Sequence, residues 1–168
     1  MTKQQLAKVI RRKKGILLDI SLGGRSQPRS VTLSPTGDLR HNPLVIPFPI
    51  PSSCVNTAIV THVLEYLPPE RFFDWFDELW RCMQPAGVCY VSGPYGGDES
   101  HGWLSDPTHR TRVLEQSFAW LDPRTPIYAE HKNLGRRFPK PWHPLSLARV
   151  PGTYGTISIN VMLQKVDK

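Results

Sequence analysis

Short apolar runs alternate with polar segments along the chain, and three of these runs predict buried β-strands. They cover residues 16–20, 54–62 and 88–91, and the first of them carries one acid, Asp19, near its end. Continuous apolar runs of this length are typical of central parallel strands that are buried on both faces. A shorter run at residues 30–33 predicts one further strand before Pro35.

The clearest helix is predicted between the second and third of these runs. Pro68, Pro69 and Glu70 suit a first helical turn, because proline needs no donor there and an acid favours the positive end of the helix dipole. Apolar residues then recur at helical spacing and predict a core-facing stripe of Phe72, Phe76, Leu79, Trp80 and Met83. Strand, helix and strand in this order form a βαβ unit, which implies a parallel sheet.

The C-terminal half gives weaker predictions. Residues 84–87 read as a turn, and residues 94–114 read as a long polar loop of the kind that forms lids or binds substrates. Residues 115–121 predict a short helix, and residues 122–144 show no clear pattern. Apolar runs at 145–150 and 156–166 are joined by a glycine-rich turn and predict an antiparallel hairpin.

The N-terminus reads as a basic helix. Thr2 and Gln5 have capping-box spacing, Leu6, Val9 and Ile10 share one helical stripe, and Gly15 suits the stop. We therefore expect residues 1–14 to hold a helix over 3–14. The sequence contains no repeat and no linker, so residues 1–168 are predicted to form a single domain.

The 168 residues carry a net charge of +7, with basic ends and an acidic middle. A basic face attracts phosphate groups, so a nucleic-acid partner is one interpretation, and the solvated face of one helix is the other. No RNA-binding fingerprint and no clear helix-turn-helix spacing support the first interpretation.

Composition also excludes several classes of protein. The three cysteines form no CxxC pair and the six histidines show no paired spacing, so we expect no disulfide framework and no metal site. No apolar run is long enough for a membrane span and the N-terminus begins polar, so we expect no membrane association and a cytoplasmic location.

Chemically capable side chains follow the predicted strands. In a parallel sheet, ligands bind beyond the carboxyl ends of the strands, which here are residues 19–24, 34–42, 62–65 and 92–97. No dinucleotide fingerprint, phosphate-binding loop or nucleophile elbow is present. In the segment from Asp106 to Arg110, a general base or substrate clamp and a simple turn cap are equally good interpretations.

Four motifs in order resemble those of class I S-adenosylmethionine-dependent methyltransferases. They are Ile16–Ile20 with Gly23, Pro47–Pro49 with Thr61–Leu67, Glu78–Gly87, and an Asp-Pro-Thr-His at Asp106–His109 that is found in a compact subgroup. The resemblance implies a Rossmann-like α/β sheet, mostly parallel, with an antiparallel C-terminal hairpin and a short or missing first crossover helix. It also implies an S-adenosylmethionine site formed by Asp19, Ser21, Gly23, Gly24, Ser34, Asn42 and His62.

Several family residues are replaced in this chain. The first glycine after the first strand is Ser21, and the acids that hold the ribose and face the adenine fall on Ser34 and Asn42. The acid that commonly opens the fourth strand falls on Asn56. A carboxylate binds a diol more strongly than a neutral group does, so the cofactor motif is degenerate.

Two functions remain open at this stage. One is methyl transfer from S-adenosylmethionine to an unidentified acceptor, which the basic ends allow to be anionic. Tyr95, Trp103, Asp106 and His109 are then candidate acceptor contacts, with His109, Asp106 and Tyr95 as the candidate catalytic residues. A packing role for His109 against Trp103 is its alternative. The other function is a catalytically inactive binding or scaffolding protein that has lost the cofactor.

Overall fold

The computed structural model describes residues 15–23, 27–97, 101–133, 139–152 and 156–167. The helix predicted over residues 3–14 and the predicted cofactor residue Gly24 lie outside the described residues.

Seven strands of the described chain form one mixed sheet. The strands are β1 (Ile16–Ser21), β2 (Val31–Ser34), β3 (Leu39–Arg40), β4 (Val55–Thr61), β5 (Met83–Pro94), β6 (Trp142–Pro151) and β7 (Ile157–Lys165). Their order is β3-β2-β1-β4-β5-β7-β6. Strands β1 to β5 pair in parallel, whereas β7 pairs antiparallel with both β5 and β6. The predicted parallel sheet and its antiparallel C-terminal hairpin are confirmed.

The helices are α1 (Phe72–Cys82), α2 (His101–Leu104), α3 (Glu115–Ala119) and α4 (Pro126–Asn133), with 3-10 turns at Leu64–Tyr66 and Pro69–Arg71. The helix predicted from its apolar stripe is α1, but Pro69 and Glu70 lie in the 3-10 turn before it and Met83 begins β5. Between β1 and β4 the described residues hold no helix, so the first crossover is short as expected. Helix α4 forms within residues 122–144, which show no clear pattern in the sequence.

The turn predicted over residues 84–87 lies inside a longer strand. Val55 pairs with Met83 and Thr57 pairs with Val88, so β5 advances five residues while β4 advances two. Ala86 has a φ of 56°, a left-handed conformation that turns the chain locally. The turn therefore occurs as a large bulge, and the strand continues on both sides of it.

The core lies on one face of the sheet, beneath α1. Trp75, Phe76 and Leu79 of α1 are fully buried in one cluster with alternate residues of the strands, such as Ala58 and Cys89. Ring contacts extend this cluster to Phe118 of α3 and Trp142 of β6.

The opposite face is open along β4, β5 and β7. Ile59, Tyr90 and Met162 are neighbours in register, and they line a groove of about 330 Å³. Tyr90 is 47% exposed, while the next residue, Val91, is 3% exposed on the core face. The expectation that the apolar runs are covered on both faces therefore holds for one face in this part of the chain.

Helix α1 also holds the segment between β3 and β4 in place. The indole of Trp75 donates to the carbonyl of Pro43 at 2.7 Å, and Arg81 donates to the carbonyl of Ile50 at 2.8 Å. The backbone N–H of Phe48 donates to the carboxylate of Glu78 at 2.7 Å. These bonds replace a packed crossover helix and fix the chain just after Asn42.

Candidate functional site

Five strand ends lie side by side along the carboxyl edge of the sheet. In the order of the strands, the residues at or after these ends are Asn42, Ser34, Ser21 with Gly23, His62 and Tyr95. Neighbouring strands are about 4.8 Å apart, so roughly 10 Å separates the ends of β2 and β4. All the predicted cofactor residues that the structure describes, except Asp19 inside β1, therefore share one edge.

The described part of the turn after β1 has space beside its backbone. Gly23 has a φ of 155°, which glycine adopts without strain, and an added Cβ would meet no atom of the described residues within 4 Å. Asp19, by contrast, is buried, and its carboxylate accepts the backbone N–H of Gln27 at 2.7 Å. Asp19 thus fastens the segment leading to β2, and Gly23 leaves room for a ligand against the chain.

Ser34 lies beneath the turn that follows it. Its side chain is buried, and an added Cβ at Gly37 would approach its hydroxyl oxygen to 2.8 Å. The carbonyl of Ser34 also accepts the backbone N–H groups of Gly37 and His41, at 3.3 and 3.1 Å. The end of β2 is consequently covered by its own chain.

Asn42 is exposed, and its conformation is fixed. Its side-chain oxygen accepts the backbone N–H of Leu44 at 3.0 Å, which forms an Asx turn. The side-chain amide remains at the surface beside the ends of β2 and β3. This residue can therefore reach a ligand at the edge without rearrangement of its backbone.

His62 and Glu65 form a pair at the end of β4. The imidazole Nδ1 lies 3.0 Å from Oε1 of Glu65. The histidine side chain is 61% exposed, whereas that of glutamate is 1% exposed. The hydrogen bond to Glu65 raises the pKa of His62, and the charge of Glu65 adds to this effect while burial opposes it. An exposed base is thus held by a buried carboxylate.

Asp106 and His109 lie together in a second cluster with Tyr66. The carboxylate of Asp106 accepts the hydroxyl of Tyr66 at 2.9 Å and both the backbone N–H and the hydroxyl of Thr108, at 2.8 and 2.6 Å. The bonds from Thr108 and Tyr66 lower the pKa of Asp106 to about 2. Burial and the bond to Asp106 raise the pKa of Tyr66 to about 12.

The imidazole of His109 is packed between two aromatic rings. Its Nδ1 lies 2.9 Å from the carbonyl of Trp103, and its ring is 4.9 Å from that of Tyr66 and 6.1 Å from that of Trp103. Its side chain is 6% exposed. This placement favours the packing interpretation of His109, and its catalytic role stays a prediction.

The segment that carries these residues is tied to the turn after β4. The backbone N–H groups of Arg110 and Thr111 donate to the carbonyl of Glu65 at 2.7 and 3.0 Å. The hydroxyl of Thr111 donates to the carbonyl of Leu67 at 2.6 Å. The predicted loop over residues 94–114 is therefore anchored at its C-terminal half, and its role as a lid stays a prediction.

Tyr95 is turned away from the open edge. Its ring is buried, and the guanidinium of Arg149 lies 4.5 Å from the ring centroid. Glu115 bonds both Arg149 and Tyr95. Burial raises the pKa of Glu115, but these hydrogen bonds outweigh burial, so the pKa lies below its ordinary value. Tyr95 thus belongs to a packed group with α3 and β6 rather than to the group around His62.

The roles of two side chains were missed in the sequence analysis. Glu65 is the partner of His62, and Tyr66 is the partner of Asp106. The spacing of three residues between His62 and Glu65 is a signal for the first pair. Tyr66 and Asp106 are 40 positions apart, so only the folded chain brings them together.

Cys54, Cys82 and Cys89 are free and buried. Within the described ranges, no three histidine, cysteine or carboxylate side chains group as metal ligands would. No helix in the described part of the chain has the length and apolar character needed to cross a membrane.

Comparison with solved structures identifies the fold. A 1,6-didemethyltoxoflavin-N1-methyltransferase from Burkholderia thailandensis, solved with its acceptor and S-adenosylhomocysteine, matches with a TM-score of 0.60 at 11% identity, over 98% of this chain and 78% of that one. The N-methyltransferase NodS from Bradyrhizobium japonicum matches with a TM-score of 0.58 at 10% identity, over 98% and 94% of the two chains.

A 16S rRNA (adenine(1408)-N(1))-methyltransferase from Catenulisporales acidiphilia matches with a TM-score of 0.56 at 12% identity, over 99% of this chain and 93% of that one. No family model matches the chain, and no curated protein matches it in sequence. The chain therefore has the fold of class I S-adenosylmethionine-dependent methyltransferases, as the four motifs predicted.

Proposed function

We propose that the protein is an S-adenosylmethionine-dependent methyltransferase. The observation that carries this proposal is the space beside Gly23 among the described residues, at the carboxyl edge of a sheet with the methyltransferase strand order. Ligands of parallel α/β sheets bind at this edge, where a glycine lets them approach the backbone.

The edge fits an adenosyl group in part. Gly23 offers space among the described residues, and Asn42 presents a surface amide two strands away. Ser34 is the departure, because its hydroxyl lies beneath Gly37 instead of facing the edge. We infer that a ribose makes fewer charge-assisted bonds here than at a site with a carboxylate, so affinity for the donor is modest.

The acceptor side of the proposed site is formed by the segment from Trp103 to Thr111. Bonds to the carbonyls of Glu65 and Leu67 fix this segment beside the turn after β4. Methyl transfer is an in-line displacement in which positioning of the two reactants supplies much of the rate, so rigid anchoring suits the reaction. The names of the neighbours above point to acceptors as different as 1,6-didemethyltoxoflavin and 16S rRNA, so the fold does not name the acceptor.

Calorimetry with S-adenosylhomocysteine tests the proposal, and Asn42→Asp makes the test specific. Aspartate keeps the Asx bond to Leu44 and adds a charge at the surface of the edge. If the adenine amine lies against this position, we expect binding to tighten by roughly three- to tenfold, as a charge-assisted bond replaces a neutral one.

Asn56→Asp is the matched control, because Asn56 is exposed near the start of β4, at the opposite edge of the sheet. It changes net charge equally and is expected to leave affinity unchanged. Absence of heat with millimolar ligand for the unsubstituted chain would instead support the second function, a methyltransferase-like protein that binds or scaffolds without the donor.

A further inference from the structure

The backbone at His62 is held in a strained conformation. Its φ is 52°, in the left-handed region that costs a non-glycine residue energy, and its N–H donates to the carbonyl of Ser92 at 2.9 Å. Such strain persists where the surrounding structure enforces it, and it is concentrated at functional sites. Here it turns the chain at the end of β4 and places the imidazole at the carboxyl edge.

The pairing with Glu65 determines which ring nitrogen is available. Nδ1 lies 3.0 Å from a buried carboxylate oxygen, so the proton of the neutral ring resides on Nδ1 and the lone pair is on Nε2. None of the described residues bonds Nε2, and the side chain is 61% exposed. Among the described residues, Nε2 is therefore an unbonded and accessible proton acceptor.

Glu65 is built into the fold more firmly than a surface partner would be. Its backbone carbonyl accepts the N–H groups of Arg110 and Thr111. Its Oε2 would lie 3.2 Å from a Cβ at position 93, so the glycine there leaves room for the carboxylate. No other charged residue in the described ranges shifts the pKa of His62, and its neighbours Ser21 and Ser92 on the adjoining strands do not ionise near neutral pH.

The position of His62 is between the two halves of the proposed site. Thr61, the residue before it, pairs with Ser21 at the start of the open turn. On its other side, Glu65 connects to the segment of Asp106 and His109. An imidazole here lies between the donor half and the acceptor half of the edge.

We propose that His62 is the general base of the methyl transfer, that Glu65 is its positioning residue, and that the acceptor is a protic nucleophile, an N–H or O–H group. This inference rests on the proposed function. It differs from the sequence-based assignment of His62 to the cofactor, and it moves proton transfer away from His109, whose ring is enclosed.

In this step the acceptor atom forms a bond to the methyl carbon while the bond from that carbon to sulfur breaks and its electron pair returns to sulfur. The acceptor proton passes to Nε2 of His62 and from there to water. Glu65, whose carboxylate lies 3.0 Å from Nδ1, stabilises the imidazolium. No oxidant or metal is needed.

Carbethoxylation by diethyl pyrocarbonate, followed by peptide mapping, measures the availability of Nε2 in the full chain. The reagent attacks neutral imidazole, so Glu65→Gln, which lowers the pKa of His62, is expected to raise the rate at pH 6 by roughly two- to fivefold. Above pH 8 the unsubstituted chain is expected to react at least as fast, so the two pH profiles converge or cross. His41, whose Nε2 is bonded to the carbonyl of Val45, is the internal control and is expected to be unaffected.

Saturating S-adenosylhomocysteine then separates the two roles of His62. A base that faces the acceptor stays reactive with the product bound, with a rate within about threefold of the free chain. Full protection by S-adenosylhomocysteine would show that His62 contacts the cofactor and would overturn the inference. Identical profiles for the Glu65→Gln and unsubstituted chains would overturn the pairing.

Transfer of a labelled methyl group to a panel of amines, phenols and imidazoles tests catalysis directly. His62→Gln is expected to reduce turnover by roughly 10²-fold with its affinity for S-adenosylhomocysteine within threefold. Equal turnover in the variant, or no transfer to any protic acceptor by the unsubstituted chain, overturns the inference. If S-adenosylhomocysteine gives no heat at all, the proposed function fails and the inference falls with it, while the carbethoxylation profiles still show the His62–Glu65 pair.

Discussion

At the scale of single residues, one or two neighbours shift the pKa of each titratable group at the candidate edge. Thr108 and Tyr66 hold Asp106 ionised, and Glu65 favours the charged form of His62. Both shifted pKa values stabilise the folded chain in a defined pH range. The stabilisation from His62 is fully present below the ordinary pKa of histidine and is lost as pH rises through the higher pKa of the folded chain. Between these two values, the folded chain holds a proton that the unfolded chain has released.

Asp106 gives the opposite dependence. Its folded pKa of about 2 lies below the ordinary value, so its contribution is present above about pH 4 and is lost as pH falls toward 2. Asp106→Asn is therefore expected to lower the melting temperature at pH 6 and to bring the two melting curves closer together as pH falls from 4 to 2. Thermal melts over that range measure it, and the exposed Glu70→Gln serves as the control. A constant difference between the two chains at every pH would contradict the assignment.

At the scale of elements, the predictions from sequence succeeded where one apolar pattern spans an entire element. Helix α1 and the central strands carry long apolar runs or stripes, so burial alone fixes their type. Helix α4 has no such run or stripe; its start is held locally, where the hydroxyl of Thr125 accepts the backbone N–H of Tyr128 at 3.3 Å. The pairing of Tyr66 with Asp106 spans 40 positions and is hidden in the sequence, whereas the pairing of His62 with Glu65 is local.

The segment from α2 to Thr111 shows how one residue can hold an irregular element. His109 bonds the carbonyl of Trp103 and packs against Tyr66, so it joins the two ends of the segment to the turn after β4. His109→Ala is expected to lower the free energy of unfolding by about 1–3 kcal/mol through lost packing and one lost hydrogen bond. Denaturant unfolding measures this change.

Leu104→Ala is the control within the same segment, because Leu104 is 59% exposed, and a change of about 0.5 kcal/mol or less is expected. Affinity for S-adenosylhomocysteine should change little in either variant. A His109→Ala chain of unchanged stability that loses methyl transfer by 10²-fold would instead support the catalytic role predicted from the sequence.

At the scale of the whole molecule, a seven-stranded sheet is packed against few helices in the described residues, and one core joins them. The connections between β1 and β4 are helix-free in the described residues, and bonds from Trp75 and Arg81 of α1 hold the segment before β4 in the place of packed helices. Because the described connections contain no helix, the strand ends are accessible at the carboxyl edge. The face around Tyr90 likewise has no described partner.

The difference between the two faces of the sheet predicts that substitutions on opposite faces of β5 cost different amounts of stability. Tyr90 and Val91 are consecutive in β5, and they are 47% and 3% exposed on opposite faces. Val91→Gln buries an amide beneath α1 and is expected to cost about 3 kcal/mol or more, whereas Tyr90→Gln removes only half-exposed contacts with Ile59 and Met162 and is expected to cost about 1 kcal/mol. Denaturant midpoints of the two variants give the comparison. Equal losses would mean that the Tyr90 face is covered in solution, and that the core extends through both faces of the sheet.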